Sequence, residues 1–100
     1  MEVIINQQEG KTLVKLSGRL DTTNAMAFQT DIEPLLRLED PDIELDCTDM
    51  EYTSSQGLRA FLMLQKSVNA RHGKLVMTGM KPQVREVFDI TGFSTIINIR

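Results

Sequence analysis

After an opening pair of short strands, runs rich in β-branched and aliphatic residues alternate with segments whose apolar residues recur at helical spacing. That alternation constrains the fold more than any other feature of the chain. Residues 2–7 and 11–17 are expected to form two strands joined through Glu9-Gly10. In the second, Thr12, Val14 and Lys15 suit a half-buried strand, with Leu13 and Leu16 set aside from the alternation. Ile43 to Cys47, Lys74 to Thr78 and Thr95 to Ile99 supply three more strands. Thr22 or Thr23 is expected to cap a first helix carrying Met26, Phe28, Ile32, Leu35 and Leu36. Within it Pro34 demands a kink, or a restart capped by Asp31. Ser54 or Ser55 opens a second helix with Leu58, Phe61, Leu62, Gln65 and Val68 on one face, ending at Arg71-His72-Gly73. Lys81-Pro82 starts a third helix, with Val84, Val87, Phe88 and Ile90 as its apolar positions and Gly92 as its stop. The order β-β-α-β-α-β-α-β predicts an α/β fold in which a mixed, mainly parallel five-stranded sheet is covered by helices.

One hundred residues without a linker or repeat make one domain, residues 1–100. Eleven basic against 14 acidic residues give a net charge of -3, and the basic ones form no stripe, so direct nucleic-acid binding is not expected. The lone Cys47 excludes an internal disulfide and is expected to act as a small buried hydrophobe. Met1-Glu2-Val3 lacks a basic leader, and the longest fully apolar run, Ala60 to Leu64, is too short for membrane insertion. A cytoplasmic protein is the expectation.

No catalytic set emerges. His72, the only histidine, falls at the far end of the second helix from Ser55, so a Ser–His pair is not expected. Cys47, His72 and the carboxylates show no metal-ligand spacing, and no cofactor is expected. Asp46 and Asp49 suit turns better than acid–base work. The residues of interest are instead Tyr52-Thr53-Ser54-Ser55-Gln56-Gly57-Leu58-Arg59, which set three hydroxyls between a strand and an apolar helix. A serine there serves either as a helix cap or as a place to attach a phosphate.

Asp49 to Arg59 resembles the signature of the STAS domain, anti-sigma factor antagonist family. That signature has a polar residue after the third strand, an Asp-Ser or Ser-Ser pair, a small residue and Gly-Leu. Gly18-Arg19-Leu20-Asp21 is similar to the family's Gly-x-Leu-Asp turn, and Val84 to Phe93 to its late helix and closing Gly-hydrophobic turn. The resemblance implies a non-enzymatic switch that binds an anti-sigma factor serine kinase and so releases a sigma factor. Phosphorylation of Ser55 would end the binding, and a PP2C-type phosphatase would reverse it. The implied contact surface comprises Asp21, Thr22, Thr53, Ser54, Gln56, Gly57 and Arg59. Asp21 either orients a kinase-bound nucleotide and metal or caps the first helix, while Met63 is expected to pack behind the main helix face. Gln56 departs from the family's usual Ser or Ala. Many members also continue into another helix where this sequence reaches Arg100, which leaves core surface open or covered by a partner. The alternative is a constitutive scaffold subunit of a stress-signalling assembly or of a lipid or anion transporter complex, with Ser55 only a cap.

Overall fold

The computed structural model describes residues 1–100. Strands β1 (Glu2–Gln8) and β2 (Lys11–Leu20) form an antiparallel hairpin. Glu9 and Gly10 both take positive φ, 46° and 83°, as a two-residue hairpin turn requires. There follow α1 (Ala25–Asp31), a short 3-10 helix (Glu33–Arg37), β3 (Asp42–Thr53), α2 (Leu58–Ala70), β4 (Lys74–Thr78), α3 (Pro82–Ile90), a 3-10 turn (Phe93–Thr95) and β5 (Asn98–Ile99). The sheet order is β1-β2-β3-β4-β5, antiparallel at the first pair and parallel thereafter. The predicted element order and mixed sheet are therefore observed.

Strands laid down side by side in chain order, with right-handed crossovers, put every connecting helix on the same side. The burial follows. Val14, Leu16, Ile43, Leu45, Cys47, Leu75 and Met77 point to the helices and are buried, whereas Lys15, Glu44, Asp46 and Thr78 line the other, open face. Leu16 thus belongs to the alternation from which the sequence pattern had set it aside, and Leu13 is the true exception, on the open face. Each helix contributes one phenylalanine to a row under the sheet. Phe28 lies 5.2 Å from Phe61, and Phe61 lies 5.9 Å from Phe88, all in tilted contact. Twenty buried side chains form one cluster around that row. No helix is long and apolar enough to cross a membrane.

Several expected boundaries move. β3 continues six residues past Cys47 because two register shifts against β2, between Lys15 and Ser17 and between Gly18 and Arg19, absorb extra residues. At the first, the amide and hydroxyl of Thr48 donate to Asp46 Oδ1 at 3.0 and 2.6 Å. These bonds hold the Asp46 carboxyl below its ordinary pKa. β5 shrinks to Asn98–Ile99, since Thr95 closes a 3-10 turn and Ile96 is half exposed. The restart at Pro34 occurs, but Ile32 precedes it with no side-chain cap, so Asp31 does not serve. Neither Thr22 nor Thr23 caps α1; Asn24 holds that position, its side chain turned back to the strand end. Met26 and Ile90, expected inside, are 82% and 77% exposed. The end of α2 is closed by His72 in the left-handed region (φ 56°), with Gly73 N–H donating to Val68 and His72 N–H to Asn69. Gly73 has another role: a Cβ there would lie 2.3 Å from the Pro41 carbonyl oxygen.

Phe61 bridges the other two rings, so Phe61→Ala should remove about 3–5 kcal/mol of stability. Urea unfolding monitored by circular dichroism checks this, and a loss below about 1 kcal/mol would show that the row does not organise the core.

Candidate functional site

Two turns meet at the carboxyl ends of β2 and β3. The first runs from Leu20 to Asn24, the second from Thr53 to Gly57. They are joined through backbone: Ser54 N–H donates to the Leu20 carbonyl at 2.9 Å, extending the β2–β3 pairing by one rung. They are also joined through packing. A Cβ on Gly57 would sit 2.7 Å from Leu20 Cγ and 3.1 Å from Thr53 Oγ1, so only glycine lets the second turn close on the first. This is the physical reason for Gly-Leu after the serine pair: Gly57 admits Leu20, and Leu58, fully buried, begins the core face of α2.

The hydroxyl residues separate into distinct roles. Thr53 is buried and donates to the Ser54 carbonyl at 3.2 Å. Ser54 Oγ accepts from Gly57 N–H at 3.2 Å, which ties the turn that leads into α2. Ser55 is exposed and its hydroxyl has no hydrogen-bond partner in the chain. Neither serine caps α2, contrary to the sequence expectation: the helix begins at Leu58 with Gly57 in the N-cap position and no side-chain cap, and Ser54 instead ties the preceding turn. Gln56 and Arg59 are exposed beside Ser55, and Arg59 takes part in none of the four ion pairs. Thr22 is exposed in the neighbouring turn. The structure thus brings the predicted surface residues to one end of the sheet, but turns Thr53 and Gly57 inward, where they position the others.

Asp21 does not cap α1. Its carboxylate accepts from the Thr23 hydroxyl and, at 2.9 Å, from Thr23 N–H, while Asp21 N–H donates to Asn24 Oδ1. The Thr23 hydroxyl and then its amide hold the Asp21 carboxyl below its ordinary value, with Arg19 nearby adding to the effect. Asn24 completes the turn by donating to the Arg19 carbonyl at 2.8 Å. The Arg19 guanidinium lies 4.4 Å over the Tyr52 ring, bracing the two strand ends on the open face. Neither Asn24 nor Arg19 was singled out from the sequence. An Asn three residues past Gly-x-Leu-Asp was the available signal, since Asn bonds readily to nearby backbone.

Elsewhere, Ser55 and His72 flank the 13-residue α2, about 20 Å long, so they form no pair. Cys47 is buried, and burial first, then Asp46, pushes its thiol up to about 12. No three His, Cys, Asp or Glu side chains converge as metal ligands. Arg71 instead has a structural task, donating to the carbonyls of Leu35 and Leu38 and to Ser67, which binds the end of α2 to the 3-10 helix. Met63 is 40% exposed and shares a shallow groove with Met26 and Leu36, so it packs at the surface. The widest surface depression surrounds Lys11, Leu13 and Glu44, at the opposite ends of the strands from Ser55.

Fold and turns together define a small α/β protein with a one-sided sheet and a free serine at a helix start. Residues 2–100 match the STAS domain family. The chain is 30% identical over 99 residues to BtrV of Bordetella bronchiseptica, named as a candidate anti-sigma factor antagonist, covering 99% of this chain and 85% of that one. It is 28% identical to the anti-sigma-B factor antagonist of Bacillus subtilis, covering 99% and 90%. Among solved structures, the Bacillus anti-sigma factor antagonist SpoIIAA superposes at 16% identity in its unphosphorylated form, with a TM-score of 0.78 and coverage of 99% and 88%. Its phosphorylated form superposes with a TM-score of 0.71, also at 16% identity, with coverage of 99% and 91%. The chain therefore belongs to the STAS domain family and, within it, to the anti-sigma factor antagonists.

The division of labour between the serines has a measurable consequence. Ser54→Ala should cost about 0.5–1.5 kcal/mol by removing the turn bond from Gly57 N–H, whereas Ser55→Ala should stay within about 0.5 kcal/mol of the parent. Denaturant titrations of both variants test it; equal losses would contradict the assignment of the turn bond to Ser54 alone.

Proposed function

We propose that this protein is an anti-sigma factor antagonist that binds an anti-sigma factor serine kinase, so releasing a sigma factor, and that phosphorylation of Ser55 by that kinase ends the binding. A PP2C-type phosphatase would restore it. The observation that carries the reading is the state of Ser55: exposed and unbonded, beside a serine already committed to the backbone. The named relatives and the phosphorylated structural neighbour support the same reading.

Physical chemistry explains how one anion would act as a switch. A phosphate on Ser55 carries about -1.5 to -2 charges at neutral pH. Close to the start of α2, the helix dipole would favour it by roughly 0.3–1 kcal/mol, so the fold tolerates the group. A partner carboxylate about 4 Å away would instead meet about 4 kcal/mol of repulsion per unit charge at an effective dielectric near 20. That corresponds to nearly a thousandfold loss of affinity. Thr22, Gln56 and Arg59 would border the contact, with the Asp21 carboxylate held in its turn by Thr23 through Oδ1.

Ser55→Ala, used as bait, should retain the kinase, and Ser55→Asp should bind it about 10²–10³-fold more weakly. With kinase and ATP, phosphopeptide mapping should find the phosphate on Ser55. Modification of Ser54, or undiminished binding by the stoichiometrically phosphorylated chain, would overturn the proposal.

A further inference from the structure

The two edges of the sheet are protected very differently. β5 is only two residues long, and brevity is a common way to prevent unwanted strand pairing. β1, at the other edge, runs for seven residues, Glu2-Val3-Ile4-Ile5-Asn6-Gln7-Gln8, in unbroken register with β2. It contains no proline, no lysine or arginine, and no bulge, and neither a helix nor a loop strand hydrogen-bonds along its outer side. Half of its backbone donors and acceptors therefore face outward without a ladder partner. Its side chains are incompletely covered as well. Val3 and Ile5 pack against the core from its rim and are only half-buried, and Ile4 is 44% exposed on the open face.

We propose that this edge pairs with the same edge of a second copy of the chain, antiparallel and centred on Ile5, to make a continuous ten-stranded sheet. A two-fold axis through Ile5 sets Ile5 against the partner's Ile5, Ile4 against the partner's Asn6, and Val3 against the partner's Gln7. The strand's single charge, Glu2, then faces the partner's neutral Gln8, so no like charges oppose each other in this register. The new rungs satisfy the outward backbone groups, and the pairing extends the rim cover over Val3 and Ile5. A second copy suits the edge better than an unrelated peptide because that register matches its apolar centre and uncharged flanks to themselves. One seven-residue edge is far smaller than the contact of an obligate dimer, so the association is weak and concentration-dependent. β1 and the Ser55 turn occupy different parts of the molecule, the turn lying at the end of β3, so pairing leaves both copies' serines accessible.

Sedimentation velocity of the intact chain from about 10 μM to about 1 mM should show a monomer–dimer equilibrium. Hydrogen exchange should slow with concentration for the outward-facing amides of residues 2–8 and not for β5. The double variant Ile4→Glu/Asn6→Glu puts acids opposite acids across the axis, while its new Glu at position 4 faces Lys15 within the monomer. Its dissociation constant should rise at least about tenfold. Ile4→Glu/Asn6→Lys matches opposite charges in the same register and should recover dimerisation. A parent chain that stays monomeric to about 1 mM, β1 exchange independent of concentration, or charge variants that dimerise alike would each refute the pairing.

Discussion

All apolar cover in this molecule lies on one side of a sheet whose strands follow chain order. Right-handed crossovers between successive neighbours allow no other arrangement, and the row Phe28, Phe61, Phe88 is the packing it produces. With three helices sharing one face, each must present a narrow apolar stripe, and the opposite face must be left to charged and polar side chains. Lys11 with Glu44 and Lys15 with Asp49 occupy that face as exposed ion pairs, at 3.3 and 3.7 Å. Such pairs contribute little to stability; their value is in keeping an uncovered sheet wet.

The same parallel order brings the turns after β2 and β3 side by side at the strands' carboxyl ends, where α/β folds place their sites. What makes the neighbouring turns one site is contact at short range. Leu20 occupies the space a Gly57 side chain would need, and the Leu20 carbonyl takes the Ser54 amide. The extra residues absorbed by β3 are part of this, because they carry the strand far enough to set Thr53 opposite Leu20. Ser54 then spends its oxygen on the backbone and Ser55 is left over. A hydroxyl with no structural duty can gain or lose a charged group without strain on the fold.

Much of the fold was legible in the sequence because its periodicities were clean. Two-residue alternation marked β2 and the first half of β3, helical spacing marked α2 and α3, and Gly92 marked the end of α3. Legibility failed where periodicity failed. From Cys47 the buried positions of β3 step by three, to Met50 and Thr53, because of the register shifts, and the segment read as a loop. Met26 and Ile90 matched helical spacing yet face water, since a seven-residue and a nine-residue helix each have only a narrow stripe against the sheet. The serine segment and its flanking motifs were recognisable as residues, but their bonding was not.

The sequence alone determined the order of elements, the charge balance that disfavours nucleic acid, and the presence of three hydroxyls before a helix. These follow from local propensity and composition, which need no knowledge of distant neighbours. Tertiary structure decided which serine is free, why glycine must stand at 57, and that Asp21 is already engaged. It also decided that one sheet face and one sheet edge are bare. Each of those depends on which residues, far apart along the chain, are brought within a few ångströms of one another, and no local pattern encodes that.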